Sequence, residues 1–444
     1  MAEPAERPHL GRALAGIRVL DFSRLLAGPW CSLLLADLGA EVIKVETPLA
    51  GDYARMAPAE LGFGGVFEAV NRGKRSIAVN YRLPRGREIV LRLAATADVV
   101  LESSMPGQLA RRGLGATAVQ AVNPRIVYCS LSGYGQDGPY RNRPGHDLDY
   151  LAIGGLLTLL GPIGARPVPP GLQVADMAGG TMAALEILAA LFRRERTGEG
   201  AVLDVAMLDA VVAWLGTLGA GAATAGVVAG PLAGTFPCYA VYPAADGAYL
   251  ALGALEPQFW VAFCRAVGRE DLVPRQFDPT ATPEVAEILE SRPRSAWLAD
   301  LGEDSCIAPV NTPAEAQRDP HVRARGLVAG AGSAVHFVSP LRAAAGDGGN
   351  GATGPAGAHA GTGTNANGAA DGDRPAPGLG SDTLGVLADA GYADAEIRAL
   401  LDAGVIGGPP TAEATARAVR LGSVLARLAE RHSVSSNPRP GPTE

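Results

Sequence analysis

Through its first two hundred residues the chain alternates short apolar runs with helical stretches, and this alternation limits the fold more than any other feature. Gly16 to Phe22 reads as a buried strand, Pro29 to Asp37 as a helix and Val42 to Val45 as a strand. The apolar runs Ser76 to Val79, Val99 to Glu102 and Ile126 to Leu131 repeat the pattern between further helices. Strands joined through helices run in one direction, so a parallel sheet covered by helices is predicted. Met177 to Arg194 reads as an Ala/Leu-rich helix, Val202 to Val205 as a strand, and Met207 to about Ala223 as a Gly/Ala-rich helix suited to close packing. From about Gly230 the texture changes to aromatic strands, Cys238 to Tyr242 and Tyr249 to Gly253, then helices at Pro257 to Val267 and near Ala296. A smaller α+β domain is the natural reading of that stretch.

Length and composition bound the rest. With 444 residues, 48% hydrophobic and 19% charged, the chain can bury a core in two or three domains. A net charge of −7 argues against a nucleic-acid partner, although local basic patches can still hold an anionic ligand. Five scattered cysteines with no Cys-x-x-Cys support neither a disulfide framework nor a metal site, and suit a reducing cytoplasm. Residues 1–15 are polar, and no run of eighteen apolar residues lacks Gly, Pro or charge, so neither secretion nor a membrane partner is expected. The expected division is a polar extension at 1–15, a large α/β domain at 16–228, a small α+β domain at 229–305 and a return to the large domain at 306–342. A Gly/Ala/Asn/Pro-rich linker at 343–380, a helical segment at 381–406 and a tail at 407–444 follow.

One glycine motif invites a false reading. Gly133-Tyr134-Gly135-Gln136-Asp137-Gly138 has the G-x-G-x-x-G form, but the Pro139 to Pro144 stretch after it cannot open a helix to hold a pyrophosphate. The chemistry points instead to Gly145-His146-Asp147-Leu148-Asp149-Tyr150 and to Asp176, which stands thirty positions beyond His146 at the mouth of an apolar helix. A histidine and a carboxylate placed at helix starts can trade a proton through one substrate carbon. Alone, each has an ordinary explanation: Asp176 as an N-cap, His146 as a hydrogen-bonded structural residue, Glu256 as a cap before Pro257. Gly179 and Gly180 weaken the capping explanation for Asp176. Two glycines in a first turn cost about 1 kcal/mol each, which makes sense where backbone must approach a ligand or a facing chain.

Taken in order, the segments form a recognisable set. They are Gly16 to Asp21 with Ala27-Gly28-Pro29; Leu38 to Glu46; Asn71 to Ser76; Gly145 to Tyr150; Arg166 to Pro170; Ala175-Asp176; Ala245-Asp246-Gly247; and Gly253 to Phe259. Through them the chain resembles the family III CoA-transferase (CaiB/BaiF-like) superfamily, and within it the α-methylacyl-CoA racemase branch. The resemblance covers roughly residues 14–330 and resumes at Pro377-Gly378-Leu379-Gly380. It implies an α/β fold: a Rossmann-like large domain with a parallel sheet, a smaller α+β domain, and an interlocked homodimer. It implies a CoA thioester as substrate, with no cofactor beyond the CoA moiety and no metal. His146 and Asp176 would be the acid/base pair, with Glu256 partnering the histidine. CoA would lie along Leu25, Ala27, Val79, Arg82, Ser103, Arg111, Asp147 and Tyr150. The sequence departs from the family at Thr47 and Met105, where arginine is common, so the phosphate end is expected to rely on Arg82, Arg111 and other basic residues.

Two chemistries fit these residues. In racemisation, His146 removes the α-proton of a 2-methylacyl thioester from one face while Asp176 delivers one to the other. In CoA transfer, Asp176 attacks the thioester and forms an aspartyl-acyl anhydride. Transferases of the family generally lack the His-Asp pair at 146 and 147, which favours the racemase. Thr235 to Tyr239 departs from the glycine-rich segment usual in racemases. A CoA-binding protein without catalysis is the third reading, opposed by the intact trio.

Overall fold

The computed structural model describes residues 12–48, 50–57, 64–160, 166–218, 231–301, 305–330, 336–341 and 374–408. Most of the expected linker at 343–380, the tail at 407–444 and the extension at 1–15 lie outside these residues.

In chain order the first elements are β1 (Arg18–Asp21), α1 (Ala27–Asp37), β2 (Glu41–Glu46), α2 (Val66–Asn71), β3 (Arg75–Val79) and α3 (Pro84–Ala94). They continue with β4 (Val99–Glu102), α4 (Ala116–Val122), β5 (Val127–Ser132), α5 (Asp147–Ile153), α6 (Val174–Thr197), β6 (Ala201–Ala206) and α7 (Met207–Leu215). The six strands pair in parallel in the order β3-β2-β1-β4-β5-β6, the order of a doubly wound Rossmann-like sheet. Strands β1 to β5 are largely buried on both faces, as a sheet covered on both sides requires, while the edge strand β6 exposes Val202. Val19, Val42, Val99, Leu101 and Val127 point to a core shared with Leu34 and Leu35 of α1 and Ile187 and Leu191 of α6. Leu20, Ile43, Ile77 and Val100 point the other way, onto Ile89 and Leu93 of α3 and Val119 of α4. Among the described helices only α6 is long and apolar enough to cross a membrane, and its place in this core accounts for its composition.

The described chain divides into two compact units, residues 1–145, 175–210 and 339–444 in one and 146–174 and 211–338 in the other. The second contains β7 (Tyr239–Pro243), β8 (Tyr249–Gly253), α8 (Pro257–Ala266), α9 (Thr282–Glu290), α10 (Arg294–Asp300) and β9 (Ile307–Pro309). β7 and β8 form an antiparallel hairpin over a core of Trp260, Phe263, Val285, Leu289 and Trp297. The buried indoles keep partners: Trp260 Nε1 donates to the Leu272 carbonyl and Trp297 Nε1 to that of Leu289.

Two expectations are corrected here. The chain does not return to the large body at 306, because β9 pairs antiparallel with β8 through Ile307, Ala308 and Pro309. A short hairpin of β10 (Val328–Ala329) and β11 (His336–Phe337) follows, and the return comes at Ser339. A three-residue strand is too short to show its own periodicity, so only its pairing assigns it. Residues 146–174 and those from 211 onward likewise group with the second unit rather than with the large domain expected over 16–228.

After the return, α11 (Thr383–Asp389), α12 (Asp394–Asp402) and β12 (Ile406–Gly407) finish the first unit. β12 adds antiparallel to the outer edge of β3. Val386, Leu387, Ile397 and Leu400 complete the core over α3. The outward N–H groups of β3 are satisfied from the same segment, Ser76 by Asp382 Oδ2 at 2.9 Å and Ala78 by Thr383 Oγ1 at 3.0 Å. Thr383 is fully buried, so Thr383→Val keeps its shape but leaves the Ala78 donor without an acceptor. A loss of about 1–3 kcal/mol is expected in urea unfolding, and a change below the error of the melt refutes the edge-closing role.

Candidate functional site

In a doubly wound sheet the crevice lies beyond the carboxyl ends of the strands, where the chain order reverses. Here that point falls between β1 and β4, and the turn from β1 into α1 crosses it. Arg24 N–H donates to Ser103 Oγ at 3.2 Å, tying the turn to the end of β4. Gly28 is required in this turn, since a Cβ there would overlap the Ser23 side chain. Leu25 sits in the left-handed region at φ 65° and is 45% exposed. A leucine held there stores strain that a glycine would not.

Beneath the turn lies a cluster of buried charge. Lys74 Nζ reaches Asp21 Oδ2 at 3.3 Å and donates to Ser32 Oγ, Asn71 Oδ1 and the Pro29 carbonyl. Lys44 Nζ donates to the Ser23 carbonyl and lies 2.9 Å from Asp52 Oδ2 as an ion pair. Glu46 takes a forked pair of bonds from Arg55 and accepts from Ser76 Oγ and from the Asp52 N–H. Burial alone would raise the Asp21 carboxyl, yet Lys74 and Lys44, with the Ser23 and Ser32 hydroxyls, outweigh it and hold the group below its usual value. Burial draws Lys74 down to about 8, with Asp21 opposing it only in part. Lys44 goes the other way, since Asp21, Asp52 and Glu46 overcome its desolvation. A cavity of about 20 Å³ lined by Arg24, Glu46, Asp52 and Tyr81 sits at the same edge, room for about one water.

Asp176 belongs to this unit. α6 begins at Val174, so Asp176 is half-buried in the first turn and is not the cap that its sequence context suggested. The two glycines after it are explained by a facing chain. A Cβ at Gly180 would come within 2.3 Å of the Ala27 carbonyl, and one at Gly179 within 2.6 Å of Met207. Trp30 Nε1 adds a bond to Thr181 Oγ1 at 3.1 Å. The helix bearing Asp176 is thereby pressed against the first turn of α1, one helical turn from the acid.

The structure therefore gathers Leu25, Ala27, Ser103 and the Asp176 helix around the β1–α1 turn. Val79 ends β3 fully buried, while Arg82 and Arg111 are exposed beyond β3 and β4. In the second unit His146 is the exposed N-cap residue of α5. Its N–H donates to the Asp149 carboxylate at 2.9 Å, while its ring makes no capping bond. Asp147 and Tyr150 are buried on that helix. Glu256 is the exposed N-cap residue of α8, and its carboxylate also makes no capping bond. The run from Gly133 to Gly138 leads into turns rather than a helix, with Asp204 accepting the Gln136 N–H. Sequence reasoning missed Arg24, Lys44, Asp52 and Lys74. The available signal was Lys44, a single charge inside the apolar run Val42 to Val45. Among the described residues no cluster of metal-ligand side chains occurs, and all five cysteines are free thiols.

Fold and turn together define an α/β protein with a doubly wound parallel sheet whose carboxyl edge carries the buried charge cluster. Residues 14–353 match CoA-transferase family III, and the chain belongs to that family. Human alpha-methylacyl-CoA racemase is 36% identical over 326 residues, spanning 71% of this chain and 82% of that one. Mouse succinyl-CoA:glutarate CoA-transferase is 37% identical over 334 residues, spanning 71% and 76%. A CaiB/BaiF family protein from Brucella suis superposes with a TM-score of 0.70 at 29% identity, covering 85% of this chain and 99% of its own. Family members are thus enzymes of two reaction types.

The glycine contact reverses an ordinary rule. Alanine in place of a mid-helix glycine normally stabilises by about 0.5–1 kcal/mol, as expected for Gly385→Ala, whose new Cβ meets nothing closer than 3.6 Å. Gly180→Ala is expected to destabilise by about 1–3 kcal/mol because its Cβ strikes backbone. Paired urea melts giving the same sign for both variants would refute the contact.

Proposed function

We propose that the protein is an acyl-CoA racemase that interconverts 2-methylacyl-CoA enantiomers by proton transfer between His146 and Asp176 through the α-carbon. The observation that carries this reading is the arrangement at His146. Asp149 accepts the His146 backbone N–H, and the exposed imidazole makes no capping bond to the helix. Neutral His146 takes the α-proton, Asp176 in its protonated form supplies one to the opposite face, and the roles exchange in reverse. The enolate oxygen is stabilised at the N-terminus of α6, where the helix dipole presents its positive end. Glu256, the N-cap residue of α8 whose carboxylate makes no capping bond, supports the histidine. Proton transfer of this kind needs no redox or metal partner. CoA runs along Leu25, Ala27, Val79, Arg82, Ser103, Arg111, Asp147 and Tyr150, with buried Ala27 and Val79 contributing backbone. A homodimer is part of this reading. It is supported by the apolar stripe Leu185 and Phe192 exposed on α6 and by Val202 exposed on the sheet's edge strand β6. Free thiols suit a cytoplasmic setting.

CoA transfer is the alternative, favoured by the 37% identity to a CoA-transferase. There Asp176 attacks the thioester carbonyl and CoA leaves as the thiolate. One experiment separates the two. A single enantiomer of a 2-methylacyl-CoA, incubated in deuterium oxide with no carboxylic acid acceptor, is expected to gain α-deuterium as its mirror image appears. His146→Ala lowers that exchange about 10²–10⁴-fold, and Asp176→Ala abolishes it without unfolding the protein. An inert α-hydrogen, with turnover only on adding a carboxylic acid and an anhydride trapped by hydroxylamine at Asp176, would establish the transferase instead.

A further inference from the structure

We infer that Asp52, held by Lys44, is a positioning residue that joins Leu25 and Tyr53 into one face for the nucleotide end of the thioester. The inference rests on the acyl-CoA reading above. One carboxylate oxygen, Asp52 Oδ1, accepts the N–H of Leu25 and that of Ala54, each at 3.0 Å. It thereby fixes two separate pieces of chain, the strained turn after β1 and the 3₁₀ turn Tyr53–Met56. Each carries a large apolar side chain in solvent, Leu25 at 45% and Tyr53 at 55% exposure. Between them the Arg24 guanidinium lies 5.2 Å from the centre of the Tyr53 ring. An exposed aromatic, an exposed leucine and a cation make a surface suited to a base and a phosphate.

The carboxylate itself is fully buried and so are its counter-charge Lys44 and the Ser23 carbonyl that Lys44 grips. It touches solvent nowhere, so its effect on ligand passes through the two turns. A leucine in the left-handed region has reason to persist only where its side chain serves something that glycine cannot.

The test compares two substrates in each variant, an acyl-CoA and the matching acyl-pantetheine thioester, which lacks the nucleotide. Asp52→Ala is expected to raise KM for the acyl-CoA about tenfold while leaving kcat and all constants for acyl-pantetheine close to wild type. Tyr53→Ala, a surface change that cannot unfold the core, should raise KM for acyl-CoA about threefold or more with the same indifference to acyl-pantetheine. The double variant Lys44→Met with Asp52→Asn keeps the acceptor oxygen and removes both charges, and should recover most of the acyl-CoA affinity lost in Asp52→Ala. Equal losses on both substrates in Asp52→Ala and Tyr53→Ala would reduce Asp52 to a stability residue and overturn the inference alone. Calorimetry showing that the wild type binds no acyl-CoA would overturn the acyl-CoA reading and this inference with it.

Discussion

Six charges at the carboxyl edge of the sheet, Asp21, Glu46 and Asp52 against Lys44, Arg55 and Lys74, hold the first unit in register. Removing such groups from water is costly, and each is tolerable only while its partners stay in place. The partners come from five different pieces of chain: the ends of β1 and β2, the first turn of α1, the end of α2 and the 52–56 turn. Displacing any of these strands a buried ion. The geometry of the edge is therefore fixed far more tightly than hydrophobic contact alone would fix it, and the β1–α1 turn inherits that precision.

The parallel sheet was legible because strands buried on both faces leave short uninterrupted apolar runs, and β1 to β6 all lie where those runs stand. Helix starts were read less well. Asp176 resembles a cap in sequence, yet α6 opens at Val174, since Val174 and Ala175 give no signal of their own to mark the boundary. The pair Gly179-Gly180 announced a close approach without saying to what, and the Ala27 carbonyl and Met207 supplied the answer only in three dimensions. β9 was misassigned because three residues carry no periodicity, and of the Asp21 to Asp52 network only Lys44, inside the apolar run Val42 to Val45, left a signal, because its members lie far apart along the chain.

The family relationship and the local chemistry converge from different directions. Racemase and transferase both need a carboxylate beside a thioester, and pressing the α6 glycines onto α1 gives Asp176 a fixed relation to the β1–α1 turn within one unit. In the function proposed above the imidazole at 146 is what separates the two reactions, and it is Asp149, three residues on, that accepts the His146 backbone N–H.

β12 and the α11–α12 pair bring a consequence of timing. Ser76 waits for Asp382, 306 positions later, and Ala78 waits for Thr383, 305 positions later. At ribosomal speeds that interval is roughly 15–60 s, during which all six parallel strands from β1 to β6 can emerge while β3 is left as a bare rim. A nascent chain with an open strand edge is a template for pairing with its neighbours on the same message. That rim stays open to wrong pairing until residues 380–407 have left the exit tunnel, so the chain's safe folding turns on when the edge closes as well as on the stability of the finished fold.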